Sequence, residues 1–301
     1  MAVTLIQTYL GIFLFSTYLL RCCMHRINFE KKYTKESISK LPSEIIYKPQ
    51  DFGFSIDLCD KTSVKVGIVD SGAIKSESYK FSKSHSRRRA MSFLEDSAGV
   101  YDQTGHATAV AGIIASSGVN GLTGISPHAS MYFARCLDEK NNGELSALMS
   151  SLLWCMIKKI DIVVISLGLR YKSRLLHDII KKLYENNICI FSSSGNDLGA
   201  TKDAEFPARF DEVFACGIGG SSSCSDEDGV SKKKYYLNFK NKKIISLDLN
   251  AGFVNFSGSS SVPPVVAGVA CHIIESYKRR KEKYTVNDVY SSLIHSFSSN
   301  K

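Results

Sequence analysis

Several patterns that mark common classes of protein are missing from this sequence. Its 301 residues contain no internal repeat with a period of about 20–50 residues. It has no glycine-rich phosphate-binding loop and no nucleic-acid-binding motif. Hydrophobic residues make up 44% and charged residues 22% of the chain, which excludes a disordered or fibrous protein. Length and composition instead indicate one large or two small globular domains with a sizeable core.

The nine cysteines include no Cys-x-x-Cys pair and no Cys/His cluster with zinc-ligand spacing. Cys136, Cys189 and Cys216 lie in apolar runs typical of buried strands, and Cys155 lies in a predicted helix. Cys22 and Cys23 are adjacent in the chain and cannot easily pair with each other. We interpret all nine as reduced thiols, which favours a cytosolic environment.

The formal net charge of the chain is +9. The basic residues do not form one long stripe but several short clusters, at Arg87–Arg89, Lys232–Lys234, Lys240–Lys243 and Lys278–Lys283. Such clusters are typical of solvated loops and helix ends. They are also compatible with attraction of an acidic partner, so both interpretations stay open.

The N-terminal residues 2–20 form an apolar run without a basic region before it or a small-residue cleavage site after it. The run is a weak secretion signal and a marginal membrane span. Basic residues follow it, and the positive-inside rule would then keep the rest of the chain in the cytosol. A helix packed on the domain surface and a secreted protein are the alternatives. Residues 21–60 are polar and irregular, which predicts a linker or a surface arm.

From residue 61 onward the pattern predicts a single domain that extends to residue 301. Short apolar runs bounded by turn residues read as strands buried on both faces, at 64–70, 131–137, 161–167, 188–194 and 212–218. Helical patterns alternate with them. This alternation predicts an α/β fold with a doubly wound, mostly parallel sheet and helices on both faces. Functional groups gather at the carboxyl ends of strands in such folds.

Four polar positions follow predicted strands or begin predicted helices: Asp70, His106, Asn196 and the serine cluster at 257–261. Taken singly, each is more often a turn residue, a helix cap or a loop. Taken together, an aspartate, a histidine and a serine follow one another in the order Asp, His, Ser. That is one of the chain orders in which serine-protease triads occur.

The surrounding motifs resemble those of the subtilisin-like serine proteases, the subtilases of the S8 type. "VGIVDSG" (66–72) is similar to the family's aspartate motif, and "GHATAVAG" (105–112) is similar to its histidine motif, with Ala107 and Ala109 as departures. Further segments resemble the family in order, namely 121–137, 161–168, 192–197 and 206–217. The resemblance runs from about residue 64 to 275.

The resemblance implies a catalytic triad of Asp70, His106 and Ser260. Ser260 is chosen by aligning the tail from Pro264 to Gly268 with the end of the family's serine motif, although Ser259, Ser261 and Pro263 depart from that motif. It further implies that the Asn196 side chain and the Ser260 backbone N–H form the oxyanion hole.

The same resemblance implies where the substrate binds. Ser166, Leu167 and Gly168 would form one wall of the cleft, and Asn142 and Gly143 the other, each pairing with an extended substrate backbone. Glu205 would lie at the base of the pocket for the residue before the cut and favour Arg or Lys there. Glutamine is a weaker alternative, and a solvated loop glutamate is the ordinary interpretation.

Among subtilases, the chain is similar to the lanthipeptide leader peptidases, several of which are short and cytosolic and remove an acidic leader from a precursor peptide. The expected partner is therefore a peptide or precursor peptide, with membrane association through residues 2–20 as an option and no nucleic acid. A general intracellular or secreted subtilase and a catalytically inactive binding protein are the alternatives. No cofactor is expected; calcium is only weakly supported because residues 116–124 offer Asn120 but no carboxylate.

Overall fold

The computed structural model describes residues 26–28, 35–41, 43–75, 89–119, 121–195, 204–218, 233–239, 243–249 and 252–297. Three of the sequence predictions lie outside these residues: the apolar run at 2–20, the calcium-loop residue Asn120 and the oxyanion-hole residue Asn196.

Fifteen strands are seen in the described part of the chain. They are β1 (Arg26–Asn28), β2 (Lys35–Ile38), β3 (Ile45–Ile46), β4 (Lys65–Asp70), β5 (Ala90–Ser92), β6 (Ser117–Val119), β7 (Leu122–Thr123), β8 (Ser130–Arg135), β9 (Asn142–Glu144), β10 (Ile162–Ile165), β11 (Cys189–Ser193), β12 (Phe214–Ile218), β13 (Tyr236–Phe239), β14 (Ile244–Leu247) and β15 (Phe253–Phe256). The α-helices are α1 (His106–Ala115), α2 (Leu145–Ile157), α3 (Arg174–Glu185), α4 (Val262–Arg280) and α5 (Val286–Ser296). Short 3-10 helices occupy Pro49–Phe52 and Ser259–Ser261.

The centre of the fold is a seven-stranded sheet with the order β13-β12-β11-β10-β4-β8-β5, in which every neighbouring pair is parallel. The predicted α/β fold with a mostly parallel sheet is confirmed. Its inner strands are continuous apolar runs because helices cover both faces and leave no face for polar side chains.

Alternate residues of the inner strands point to opposite faces of the sheet. In β4, Val66 and Ile68 pack with one core cluster, and Val69 packs with the other. The first cluster includes residues of α1, α4 and α5, and the second includes residues of α2 and α3. Each strand therefore joins two hydrophobic cores, which fixes the positions of its carboxyl end.

The polar composition of the segment 21–60 predicts a linker or a surface arm. Its described part adds strands to the domain: β2 pairs with β15, and β3 pairs with β7. Leu41, Phe52 and Phe54 are buried in the first core cluster. These buried side chains and the pairing of β2 and β3 with strands far away in the chain attach the described part of the arm to the domain.

The described cysteines, Cys59, Cys136, Cys155, Cys189, Cys216 and Cys271, are all free. All of them except Cys59 are buried. Burial raises the pKa of Cys155 to about 12, and it also raises the pKa of the other four buried thiols. Separately, no helix within the described ranges is both long and apolar enough to cross a membrane.

Candidate active site

Asp70 is the last residue of β4 and is fully buried at the carboxyl edge of the sheet. The neighbouring strand β10 ends at Ile165, which lies opposite Val69, so Ser166 begins the loop beside Asp70. The backbone N–H of Ser71 donates to Asp70 Oδ1 at 2.7 Å. The strand and this bond together hold the carboxylate in one orientation.

His106 is the first residue of α1, and its side chain is 94% buried. Its Nδ1 lies 2.8 Å from both Oδ1 and Oδ2 of Asp70. Because the carboxylate can only accept, Nδ1 carries the proton, and Nε2 of a neutral ring is left as the basic nitrogen. The ring packs edge-on against Phe256 at a centroid distance of 5.3 Å.

A second buried carboxylate, Asp102, organises the turn before His106. Its Oδ1 accepts from the backbone N–H of Gly105 at 2.9 Å and from the Ser71 hydroxyl at 2.9 Å. Its Oδ2 accepts from the backbone N–H and the hydroxyl of Thr108, at 2.9 and 2.7 Å. Asp102 thus satisfies N–H groups at the start of α1 that have no partner within the helix.

The sequence reading missed Asp102. The available signal was the segment Asp-Gln-Thr-Gly just before a helix, in which an aspartate and a threonine are typical capping residues. The link to Ser71 was not readable from the pattern, because it joins residues 31 positions apart.

Burial distinguishes the three consecutive serines of the cluster from one another. Ser259 is 1% and Ser261 is 3% exposed, whereas Ser260 is only half-buried. The hydroxyl of Ser261 donates to the carbonyl of Gly258 at 2.8 Å. Of these three consecutive serines, Ser260 is the one whose side chain reaches solvent.

Ser260 is joined to the loop that follows β10 by two hydrogen bonds. Its hydroxyl donates to the carbonyl of Ser166 at 3.2 Å, and the Ser166 hydroxyl donates to the carbonyl of Ser260 at 3.1 Å. Since Ser166 directly follows the strand next to Asp70, the structure brings Ser260 to the same edge of the sheet as Asp70 and His106. The helix α4 begins two residues later, with prolines in its first turn.

Gly168 and Glu205 meet beside this edge. The backbone of Leu169 exchanges two hydrogen bonds with Phe206, at 2.7 and 2.8 Å. The Glu205 N–H donates to the carbonyl of Ser194 at 3.1 Å. Glu205 therefore lies between the end of β11 and the segment 166–168, which is where the predicted pocket would have its base.

The segment Asn142–Gly143 is part of β9, and it already carries a neighbour. β1 pairs with it antiparallel, with Ile27 opposite Gly143 and Asn28 opposite Asn142. The predicted second wall of the cleft is thus an edge that accepts an extended segment of this chain.

The oxyanion-hole prediction at Asn196 lies outside the described residues, and so does Asn120 in the weakly supported calcium loop. Gly195, the residue before Asn196, has a φ of 96°, which favours glycine. Among the residues that the structure describes, no group of three or more His, Cys, Asp or Glu side chains could hold a metal ion.

Hydrolases with a serine nucleophile use an Asp–His pair and a serine, and this structure places Asp70, His106 and Ser260 at the same carboxyl edge of a parallel sheet. The sequence model of the subtilase family of peptidases (S8) matches residues 61–301, and the chain belongs to this family. The match and the relatives below support a subtilisin-like serine endopeptidase.

Three relatives illustrate the similarity. The chain is 29% identical over 208 residues to minor extracellular protease Epr of Bacillus subtilis, covering 69% of this chain and 31% of that protein. It is 27% identical to subtilisin DY of Bacillus licheniformis, covering 71% and 78%. It is 26% identical to the major intracellular serine protease of Bacillus subtilis, covering 77% and 75%. The chain thus spans about a third of Epr and about three quarters of the other two.

Proposed function

We propose that this protein cleaves peptide bonds with a triad of Asp70, His106 and Ser260. The observation that carries the proposal is the distance of 2.8 Å from His106 Nδ1 to the Asp70 carboxylate, in a site where both side chains are buried. Removal from water strengthens this interaction, and it leaves the imidazole in the tautomer needed to accept a proton at Nε2.

In the proposed reaction, Ser260 Oγ attacks the carbonyl carbon of the scissile bond while His106 Nε2 takes the hydroxyl proton. The protonated imidazole then gives that proton to the leaving amine, and water hydrolyses the acyl-enzyme by the same steps. Asp70 stays ionised throughout and stabilises the imidazolium. The Ser260 N–H and the Asn196 amide would bind the oxyanion, and loss of such a donor costs about 10²–10³ in kcat.

The substrate would lie extended between residues 166–168 and β9. Edge strands bind extended peptides through backbone hydrogen bonds, so the sequence of the peptide matters mainly at the pockets. The antiparallel pairing of β1 with β9 supports this geometry, because it is the pairing that the substrate would adopt there. A substrate that pairs with Asn142 and Gly143 must displace β1.

The proposed pocket residue is Glu205, which would favour Arg or Lys before the cut. Its side chain packs against the backbone of Gly168 and Gly195, so it lies between two segments that flank the cleft. A carboxylate in such a confined place makes a stronger contact with a cationic side chain than one in open water.

We further propose that the physiological substrate is a lanthipeptide or bacteriocin precursor whose acidic leader is removed. Support comes from a cavity of about 560 Å³ lined by Lys172, Arg174, His177, Asp178 and Lys181. The first lining residue of this cavity, Lys172, follows Gly168 by four positions in the chain and lies just before α3. Two lysines and an arginine beside one aspartate would attract an acidic segment upstream of the cut.

The proposed location of the catalytic domain is the cytosol, with residues 2–20 as the candidate membrane attachment. The six cysteines that the structure describes are all free, which supports a reducing compartment. A general intracellular or secreted subtilase would share the triad but not a preference for acidic leaders.

The triad is tested by labelling with a fluorophosphonate probe and locating the adduct by mass spectrometry. We expect the adduct on Ser260, and Ser260→Ala should lower kcat by several orders of magnitude. Ser261→Ala is the matched control, because Ser261 is buried and bonded to Gly258. An adduct on Ser259 or Ser261 would show that the labelled serine, and not Ser260, is the nucleophile. Folded protein without labelling or cleavage would indicate an inactive binding protein.

The leader preference is tested with two peptides that share the residues around the cut. One carries an acidic upstream segment, and in the other Asn and Gln replace Asp and Glu. We expect a higher kcat/KM for the acidic peptide, a difference that shrinks with added salt. The triple variant Lys172→Gln, Arg174→Gln, Lys181→Gln should remove it, whereas Lys61→Gln, Lys281→Gln, Lys283→Gln should not. Equal rates for both peptides would favour a general subtilase.

A further inference from the structure

Three backbone carbonyl groups converge on the ammonium of Lys233. Nζ donates to the carbonyl of Ala208 at 2.6 Å and to that of Val213 at 2.8 Å, and it makes a short hydrogen bond to the carbonyl of Phe210. All three acceptors belong to one turn-rich segment. One side chain thus satisfies three carbonyl oxygens that lie within six residues of each other.

The segment cannot easily turn these carbonyls away. The side chains of Ala208, Phe210 and Val213 are buried, so the core fixes the direction of the backbone. Turn bonds from Phe210 N–H to the Pro207 carbonyl (2.9 Å) and from Val213 N–H to the Phe210 carbonyl (3.0 Å) tighten it further. Carbonyl dipoles that point at one place repel one another unless a cation lies between them.

When a protein binds a hard metal cation from solution, converging carbonyl oxygens are common ligands. An ammonium with three donors fits the same arrangement, and it is tethered by its own chain. Burial lowers the pKa of Lys233 to about 8, while the nearby carboxylates of Asp211 and Glu212 act in the opposite direction, as does Cys216 to a smaller degree. At pH 7 the side chain therefore remains largely protonated.

We propose that Lys233 is a tethered replacement for a bound metal cation, occupying a carbonyl cage that would otherwise take a dissolved monovalent or divalent ion. The cage lies in the segment that begins with Glu205 and Phe206, so Lys233 also positions the base of the pocket. The positioning role rests on the proposed function of Glu205. The carbonyl cage itself does not depend on it.

The test uses thermal unfolding in the Ser260→Ala background, which prevents self-cleavage. Lys233→Ala opens the cage, and Lys233→Met fills it with an apolar chain. Each is melted at constant ionic strength in choline, sodium, potassium and calcium chloride. We expect both to have a lower Tm than the parent in choline. We expect sodium, potassium or calcium to restore Lys233→Ala but not Lys233→Met. Lys234→Met, at the exposed neighbouring residue, is the control and should melt like the parent in every salt.

Two results would overturn the cage. One is a Lys233→Ala protein that no salt stabilises relative to choline, or that cannot be recovered folded in any of the four salts. The other is the same cation response in Lys234→Met. The positioning statement is tested separately in active enzyme, where Lys233→Ala should lose about tenfold in kcat/KM toward an Arg substrate in choline and recover with the cation that restores Tm. Restored Tm without restored activity would support the carbonyl cage but contradict its link to the pocket.

Discussion

Glu205 fills the space beside Gly168 so closely that a Cβ on the glycine would lie 2.6 Å from the Cβ of Glu205 and closer still to its carboxylate. Gly168 ends the wall 166–168, and Glu205 precedes the bridge to Leu169. The glycine is therefore required for close approach. Wall and pocket base must move together if either one moves.

Gly168→Ala should displace the Glu205 carboxylate and raise KM for substrates with Arg before the cut. An increase of about tenfold is expected, since overpacking costs about 1–3 kcal/mol. The measurement is steady-state kinetics on Arg and Leu peptides. Gly252→Ala is the control, because a Cβ there would meet only the Ile38 carbonyl at 3.5 Å. Unchanged kinetics in Gly168→Ala would contradict a rigid contact between the two residues.

Glu205→Gln should reduce the preference for Arg or Lys over Gln before the cut by about tenfold to a hundredfold, because it removes a charge-assisted contact. The comparison is the ratio of kcat/KM values for matched peptides. Glu139→Gln, at an exposed position, should leave the ratio unchanged. If Glu205→Gln keeps the parent's ratio, the pocket assignment is wrong.

Asp102→Asn should weaken the start of α1 and misplace His106. Both carboxylate oxygens face donors, so one amide N–H of asparagine would point at another donor. We expect a loss of about 2–4 kcal/mol in the free energy of unfolding and a lower kcat. Urea unfolding and kinetics measure the two effects.

The control for Asp102→Asn is Asp288→Asn, which makes the same change in the capping box of α5. Its carboxylate accepts from Thr285 near the surface, so the loss of stability should be smaller and kcat should not change. Equal effects of the two changes on kcat would sink the idea that Asp102 acts through His106.

His272 should make stability depend on pH. Its Nδ1 accepts from the Cys59 N–H at 3.0 Å, and its Nε2 donates to the Ile125 carbonyl at 2.8 Å. Burial lowers the pKa of His272 below 6.5, and Arg279 acts in the same direction. The unfolded chain then binds a proton that the folded protein resists. This contribution to stability is complete above about pH 6.5 and is lost as the pH falls through the folded-state pKa.

Thermal unfolding from pH 7.5 downward in the Ser260→Ala background measures this dependence. We expect Tm of the parent to fall more steeply below pH 6.5 than Tm of His272→Gln, which has no group to titrate there. His295→Gln, at an exposed position of α5, should keep the parent's slope. Parallel curves for the parent and His272→Gln would show that His272 does not set the pH dependence of Tm.

The sheet was predictable because its inner strands are buried on both faces, and continuous apolar runs follow from that burial alone. The arm at 21–60 was not, because its strands pair with β9, β15 and β7, far away in the chain. These strands are only two to four residues long, too short for a local pattern to identify them. Asp102 was missed for a related reason, since part of its role depends on Ser71 in another turn.

The sequence by itself indicated the class of fold and the family, and it singled out Asp70 and His106 as candidates, because each lies in a motif at a predicted strand end or helix start. Only the tertiary structure decided which serine of the cluster faces solvent, that Glu205 packs on Gly168, and that Lys233 lies among three carbonyls. These relationships join residues from different loops. Their distances are set by the packing of helices on the sheet, which no local pattern specifies.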